Sequence, residues 1–283
     1  FKGLVGTRDG NMDSQLKVAV MGAGGRMGRM VVRTVSATED SGIIGAIEQV
    51  GSTLVGQDAG VLAGIGELGV ELTTDPVPVI AACDAVIDFT VPSASLRHAE
   101  LAAQAQTAYV IGTTGLHSEQ EEALAQAARH TPIVYAPNMS AIVNLLFSLT
   151  ERVARVLGED GYDIEIVEMH HRRKIDAPSG TALGLGRAAA RGRGIVLDDA
   201  AVFSREGHTG VRPTGTIGFA TMRGGDVAGD HSIIFAGEGE RLELTHRATD
   251  LHIFARGAVR AAKWAQGREP TLYSMLDVLG LEV

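Results

Sequence analysis

The chain is short of cysteine, of long apolar runs and of positive charge, and each shortage excludes something. One cysteine, Cys83, among 283 residues rules out an intrachain disulfide. It suits a reducing compartment, so a cytoplasmic location is expected. No run of about eighteen apolar residues occurs, which argues against a membrane span. Lys and Arg number 25 against 34 Asp and Glu, a net charge of -9, whereas a general nucleic-acid surface needs a basic excess. The opening "FKGLVGTRDGNMDSQ" has no apolar stretch suited to a signal peptide and does not begin with Met. Residues 1–11 are expected to be a leader or appended segment, with Met12 the native start.

Glycine is plentiful, at 36 residues, and the apolar share is 45%, enough for a soluble core with many tight turns. The length favours two domains. The expected division is a dinucleotide-binding domain over 12–140, completed by 252–283, and a substrate-binding and oligomerisation domain over 141–251.

"LKVAVMGAGGRMGRMVVRTV" places an apolar strand, Leu16 to Met21, directly before a glycine turn. Apolar residues then recur at helical spacing from Met27 to Val35. A strand, glycine turn and helix in that order bring helix N-terminal amides to the turn, where they attract phosphate. Gly22, Gly25 and Gly28 satisfy G-x-x-G-x-x-G, and the strict G-x-G-x-x-G is missed by one residue. The next strand, Gly42 to Ile47, ends at Glu48, where an acid would accept bonds from the adenosine ribose. The alternative is that these glycines only close a strand–helix corner and Glu48 is a solvated charge.

Strand–helix units continue through "DAVIDFT", "AYVIGTTG" and "PIVYAPNMS", the last read as a strand reaching Asn138. A helix is expected over Ser95 to Ala105, and Ser118 with Glu121 forms an S-x-x-E capping box for another. Such repetition means an α/β fold with a doubly wound parallel sheet, and ligands then lie beyond the carboxyl ends of its strands. After an expected helix over Ala141 to Leu157, "YDIEIVEMHH" and "HSIIFAGEGERLELTHR" alternate polar and apolar residues. They predict a second, α+β domain on a mixed or antiparallel sheet, with a hairpin at Gly237 to Gly239. The face carrying Arg241, Glu243 and Thr245 has few helices to cover it, which suggests burial against other subunits.

"EMHHRRKIDAPSGTA" sets five protonatable side chains, His170 to Lys174, in an acidic chain. A solvated basic loop is one reading. Against it, paired histidines can exchange protons near neutral pH, and a helix expected to start at Ser179-Gly180-Thr181 offers free amides and a positive dipole end. Together these suit a small dianion such as a dicarboxylate. A zinc site is disfavoured, because adjacent histidines on a strand point to opposite faces and no third ligand stands near. No metal is expected.

With "VAVMGAGGRMGR", "GTTG", "APNMS", "HHRRKIDAPSGTA" and "FSREGHTGVRPTGTIGFATMRGGDVAGDH", the chain resembles the 4-hydroxy-tetrahydrodipicolinate reductase (dihydrodipicolinate reductase) family of lysine and diaminopimelate biosynthesis. The resemblance runs from about Lys17 to near the C-terminus. The segment H-H-x-x-K-x-D-x-P-S-G-T is far more specific than the glycine turn. It implies an N-terminal Rossmann domain and a C-terminal α+β domain that closes over the cofactor and builds a homotetramer. It also implies that Gly22, Ala23, Gly24, Gly25, Arg26, Met27, Glu48, Gly112, Thr113, Thr114, Ala136, Pro137, Asn138 and Met139 bind NADH or NADPH. His170 would be the proton donor/acceptor and Lys174 a proton donor, with His171, Gly180 and Thr181 holding a cyclic unsaturated imine dicarboxylate. No nucleic-acid or membrane partner is implied.

Two departures bear on the cofactor. Gln49 and Val91 stand where the family can carry arginine. Glutamine cannot pair with a 2′-phosphate, so NADH is expected to serve at least as well as NADPH. Another NAD-dependent dehydrogenase, acting on an amino acid or semialdehyde, is the alternative enzyme, and a dinucleotide-sensing regulator the non-enzymatic one.

Overall fold

The computed structural model describes residues 15–281; the expected leader over 1–11 and the Met12 start lie outside them. By contact, the chain forms two compact units. One extends to Val134 and resumes over Val259–Leu272; the other covers Tyr135–Ala258 and resumes at Tyr273.

The first unit begins β1 (Leu16–Met21), α1 (Arg26–Ser36), β2 (Ser41–Ile47), α2 (Ala59–Ala63) and β3 (Leu72–Thr73). It continues α3 (Pro76–Ala82), β4 (Ala85–Asp88), α4 (Pro92–Ala105), β5 (Ala108–Ile111), α5 (Ser118–Ala127) and β6 (Ile133–Tyr135). β1 pairs in parallel with β2 on one side and β4 on the other. The strand order therefore reverses at β1, and the glycine turn leaves the sheet at that switch point. Every residue of β4 and β5 is buried, as expected for parallel strands covered on both faces.

Three expected boundaries are corrected. α4 starts at Pro92 rather than Ser95, because the fixed φ of proline suits the first helical position. Helix α5 is capped one residue earlier than the S-x-x-E pattern implied: the His117 N–H donates to Gln120 Oε1 at 3.0 Å, and Ser118 is already helical. Strand β6 stops at Tyr135, short of Asn138. The elements α2, β3 and α3 have weak periodicity and went unread in the sequence.

The second unit contains α6 (Ala141–Val156), β7 (Tyr162–His170), α7 (Gly180–Arg193), α8 (Leu197–Ala200) and β8 (Ala201–Val202). β9 (Ile217–Arg223), β10 (Gly229–Gly237) and β11 (Arg241–Ala248) follow. Helix α9 (His252–Ala265), β12 (Leu272–Tyr273) and α10 (Met275–Leu279) complete the chain. The larger sheet has the order β12-β6-β5-β4-β1-β2-β3 and the smaller β11-β10-β7-β9-β8. The smaller sheet is mixed: β10 is antiparallel to β7 and β11, while β9 is parallel to β7.

Alternation along β7 explains where its chemistry sits. Ile164, Ile166, Glu168 and His170 are buried on one face. The first two join Ile233 and Phe235 of β10, Ile217 and Phe219 of β9, and Leu185 of α7 in the core. Two residues further on, the same face becomes polar. Glu168 stands in register with His231 of β10 and Thr221 of β9, and His170 with Arg223. Arg241, Glu243 and Thr245 lie on the opposite, exposed face. Among the described residues no helix is long and apolar enough to cross a membrane.

Candidate active site

In the first unit, the residues read as a cofactor turn come together. Gly22 adopts φ +67°, and a Cβ on Gly28 would fall 2.1 Å from the Gly22 carbonyl oxygen, so helix and turn can approach this closely only with glycine there. Gly25 caps α1 without a side chain, leaving the first-turn amides of Arg26 and Met27 without intrahelical acceptors. Glu48 Oε2 accepts the Gly24 N–H at 3.1 Å and its other oxygen accepts the Gln49 N–H at 2.9 Å. The carboxylate thus lies against the glycine turn, where a dinucleotide site requires an acid. Ala23 is buried, while Arg26 and Gln49 are exposed. Arg29, missed in the sequence, buttresses the turn from Nε to the Gly24 carbonyl at 2.8 Å.

The loops after β4 and β5 also meet. A Cβ on Gly112 would enter the Phe89 ring at 2.1 Å. Beneath them lies Asp88, fully buried. It accepts from the Thr90 N–H and hydroxyl at 2.8 and 2.6 Å, and from the Tyr109 hydroxyl at 2.6 Å, and it pairs with His98 Nδ1 at 2.7 Å. Ser95 continues the network to buried Thr113 at 2.7 Å. Burial alone would raise the Asp88 carboxyl, but His98, Thr90 and Tyr109 hold it below the ordinary range. Thr114 is exposed.

In the second unit, Ala136 and Met139 are buried, and Pro137 is exposed. Asn138 donates from Nδ2 to the Thr181 hydroxyl at 3.1 Å. One expected cofactor residue thereby touches one expected substrate residue. Ser179 caps α7 by accepting the Ala182 N–H at 3.2 Å, while Gly180 is exposed, and a Cβ added there would meet nothing within 4 Å.

His170 is held from its inner nitrogen. Nδ1 contacts Glu168 Oε2 at 2.5 Å, and buried Glu168 also accepts both Arg223 guanidinium nitrogens, at 2.8 and 3.0 Å, and the Ser179 N–H at 3.0 Å. Burial would raise the Glu168 carboxyl, but Arg223, His170 and the Ser179 amide hold it low. It is therefore ionised, and His170 Nδ1 must carry a proton to bond it. Burial is the main cause that lowers His170 from its ordinary value, with Glu168 opposing and Lys174 and Arg223 assisting. His231 packs edge-on against His170, with ring centroids 4.9 Å apart, and shares a 2.9 Å hydrogen bond with Ser179 Oγ.

The rest of the basic run separates. Arg172 and Arg173 are exposed. Lys174 donates to both Asp176 carboxylate oxygens at 2.8 Å. His171 Nδ1 is buried without a hydrogen-bond partner among the described residues. Glu168, Arg223 and His231 escaped sequence reasoning, although E-x-H on a strand puts Glu168 and His170 on one face.

A glycine turn closed by an acid at a sheet's switch point, with a carboxylate-held histidine beside a helix N-terminus elsewhere in the chain, defines a pyridine-nucleotide-dependent oxidoreductase. Similarity narrows the class. Residues 16–139 match the family model described as "Dihydrodipicolinate reductase, N-terminus", and residues 142–279 match "Dihydrodipicolinate reductase, C-terminus". The chain belongs to the dihydrodipicolinate reductase family. The 4-hydroxy-tetrahydrodipicolinate reductase of Brucella abortus (strain 2308) is 58% identical over 264 residues, covering 93% of this chain and 98% of its own. That of Methylocella silvestris is 56% identical over 266 residues, covering 94% and 97%. A dipicolinate-bound dihydrodipicolinate reductase from Paenisporosarcina sp. TG-14 shares the fold with a TM-score of 0.71 at 24% identity, covering 93% of this chain and 98% of that one.

Proposed function

We propose that the chain reduces 4-hydroxy-tetrahydrodipicolinate, or its dehydrated form, to tetrahydrodipicolinate in lysine and diaminopimelate biosynthesis, with a pyridine nucleotide as reductant. The observation that carries this reading is that the histidine and the anion-binding turn share one hydrogen-bonded cluster. Glu168 bonds both His170 Nδ1 and the Ser179 N–H.

The residues of the first unit fit a dinucleotide. The crowded Gly22–Gly28 turn, the α1 amides and Glu48 would hold its phosphates and ribose. Phe89 and Gly112 to Thr114 would hold the rest. The bound nicotinamide supplies the hydride. Ser179 occupies the Ala182 amide, so the Gly180 and Thr181 amides at the positive end of α7 are left to receive a substrate carboxylate. His171 Nδ1, buried and without a partner among the described residues, would add a further contact.

Because Nδ1 is committed to Glu168, His170 exchanges its proton at Nε2: the neutral ring accepts there and the charged ring donates. Lys174, oriented by Asp176, is the second proton donor. Hydride addition to the conjugated ring leaves an electron-rich enamine, and one of these two groups protonates it.

Three finer readings accompany this one. NADH serves at least as well as NADPH, because Gln49 offers no charge to a 2′-phosphate. The protein is a homotetramer joined through the exposed face of the smaller sheet, which carries Arg241, Glu243 and Thr245 together with half-exposed Met222. It works in the cytoplasm. Light scattering returning a monomer mass would remove the second. The activity itself is tested by NADH oxidation with freshly made condensation product of pyruvate and aspartate semialdehyde. Absence of turnover with that compound, alongside turnover with an amino acid or semialdehyde, would overturn the assignment.

A further inference from the structure

Glu168 is a buried carboxylate of the second unit held from several sides. It is 1% exposed and makes four polar contacts: one to His170, two to Arg223 and one to the Ser179 N–H. These come from residues on β7, β9 and the start of α7. A buried carboxylate with no chemical step of its own would ordinarily be a poor choice beside an anion site, since it repels the ligand. Arg223 removes that objection. Its planar fork meets both carboxylate oxygens, the arrangement in which guanidinium cancels carboxylate charge with fixed geometry. Arg223 also donates to the Asp176 carbonyl at 2.6 Å, and Asp176 in turn holds Lys174.

We propose that Glu168 is a positioning residue that fixes, with one carboxylate, both the proton-exchanging nitrogen of His170 and the substrate-binding turn at Ser179, while Arg223 cancels its charge so that a dianionic ring is accepted. The proposal rests on the roles given above to His170 and the Ser179–Thr181 turn. It separates the two ends of the imidazole: Nδ1 is locked inward by Glu168, and Nε2 is kept clear. A Cβ on Gly229 of β10 would stand 2.9 Å from Nε2, so glycine at 229 keeps that atom approachable. The charged and titratable groups facing His170 are Glu168 on its own strand, Arg223 on β9, His231 on β10 and Lys174 in the following loop. Glu168 is the one anion among them.

The test uses the intact protein and the variants Glu168→Gln, Arg223→Gln and Arg223→Lys. Histidine ring ¹⁵N spectra, recorded without substrate, read the His170 tautomer and its titration directly. The wild type should show neutral His170 with its proton on Nδ1. Glu168→Gln should mix the tautomers and move the titration to lower pH, because the anion that favours the charged ring is gone. Its kcat should fall roughly 10- to 100-fold, less than the 10²- to 10⁴-fold a positioned acid contributes outright, with KM for NADH unchanged. Arg223→Gln should weaken binding of pyridine-2,6-dicarboxylate at pH 8 roughly tenfold or more by leaving an uncancelled buried charge, and Arg223→Lys should recover most of it. An unchanged His170 tautomer and titration in Glu168→Gln, or wild-type dianion affinity in Arg223→Gln, overturns the proposal. The spectra need no turnover, so they decide the positioning role even if the cyclic imine proves not to be the substrate.

Discussion

His231 makes the second unit sensitive to mild acid, and the size of the effect follows from its surroundings. It is 4% exposed, and its Nδ1 has no hydrogen-bond partner among the described residues. Burial, then the charges of His170, His246 and Lys174, with Glu168 opposing, lower its pKa from 6.5 to about 3. The unfolded chain therefore takes up a proton near pH 6.5, while the folded chain resists until about pH 3. The stability tied to a neutral His231 is complete above 6.5 and declines as pH falls through that window. At about 1.4 kcal/mol per pH unit, the loss is about 2 kcal/mol at pH 5. Replacing His231 by Gln removes the titration and leaves an amide able to meet Ser179 Oγ. Burial also lowers His170 and His246, and they act equally in both proteins, so the difference isolates His231. Urea unfolding followed by far-UV circular dichroism at pH 7 and pH 5 should show the variant losing about 2 kcal/mol less than the wild type. Equal losses in the two proteins would refute the reasoning.

Three further outcomes follow from the same geometry. Gly229→Ala should lower kcat by roughly tenfold or more and lower the thermal midpoint as well, since the added methyl crowds His170 Nε2 and the φ of +159° is one that side chains rarely adopt; steady-state kinetics and calorimetry check this. Gln49→Arg should raise kcat/KM with NADPH relative to NADH, by placing a guanidinium after Glu48 where Gln49 offers no charge to a 2′-phosphate, as parallel assays with the two cofactors would report. Asp88→Asn should cost about 1.5–3 kcal/mol and raise KM for NADH, because Thr90 loses its carboxylate anchor and the Ser95–Thr113 pair bonded to it loses support. Since Asp88 is held below the usual carboxylate range, its contribution is present above about pH 4 and lost as pH falls below it; the variant should show a flatter acid limb of stability.

The parts of the site legible in the sequence are those whose partners are local. Leu16 to Gly28 announces a strand, turn and helix within thirteen residues, and Ser179-Gly180-Thr181 announces a helix start because capping chemistry lies within three residues of the cap. The boundary misses at Pro92 and His117 are also local: proline's fixed φ opens α4 three residues before Ser95, and His117 takes the cap position one residue before Ser118. What stayed hidden needs the sheet. Arg223 reaches Glu168 across 55 positions, His231 reaches Ser179 across 52, and Tyr109 reaches Asp88 across 21. In one dimension these read as a strand charge, a strand histidine and a core aromatic. The basic run misled in the opposite direction, since five adjacent protonatable groups look like one cluster. Alternation sends His170 inward, a turn sends Arg172 and Arg173 to solvent, and Asp176 claims Lys174.

The claim on which the whole account depends is that His170 and Lys174 deliver the proton to a ring docked at the Ser179–Thr181 turn. Its most direct test is steady-state kinetics of His170→Ala and Lys174→Ala with the condensation product of pyruvate and aspartate semialdehyde. The account predicts kcat lowered roughly 10²- to 10⁴-fold in each, with KM for NADH nearly unchanged; full turnover in both variants would contradict it.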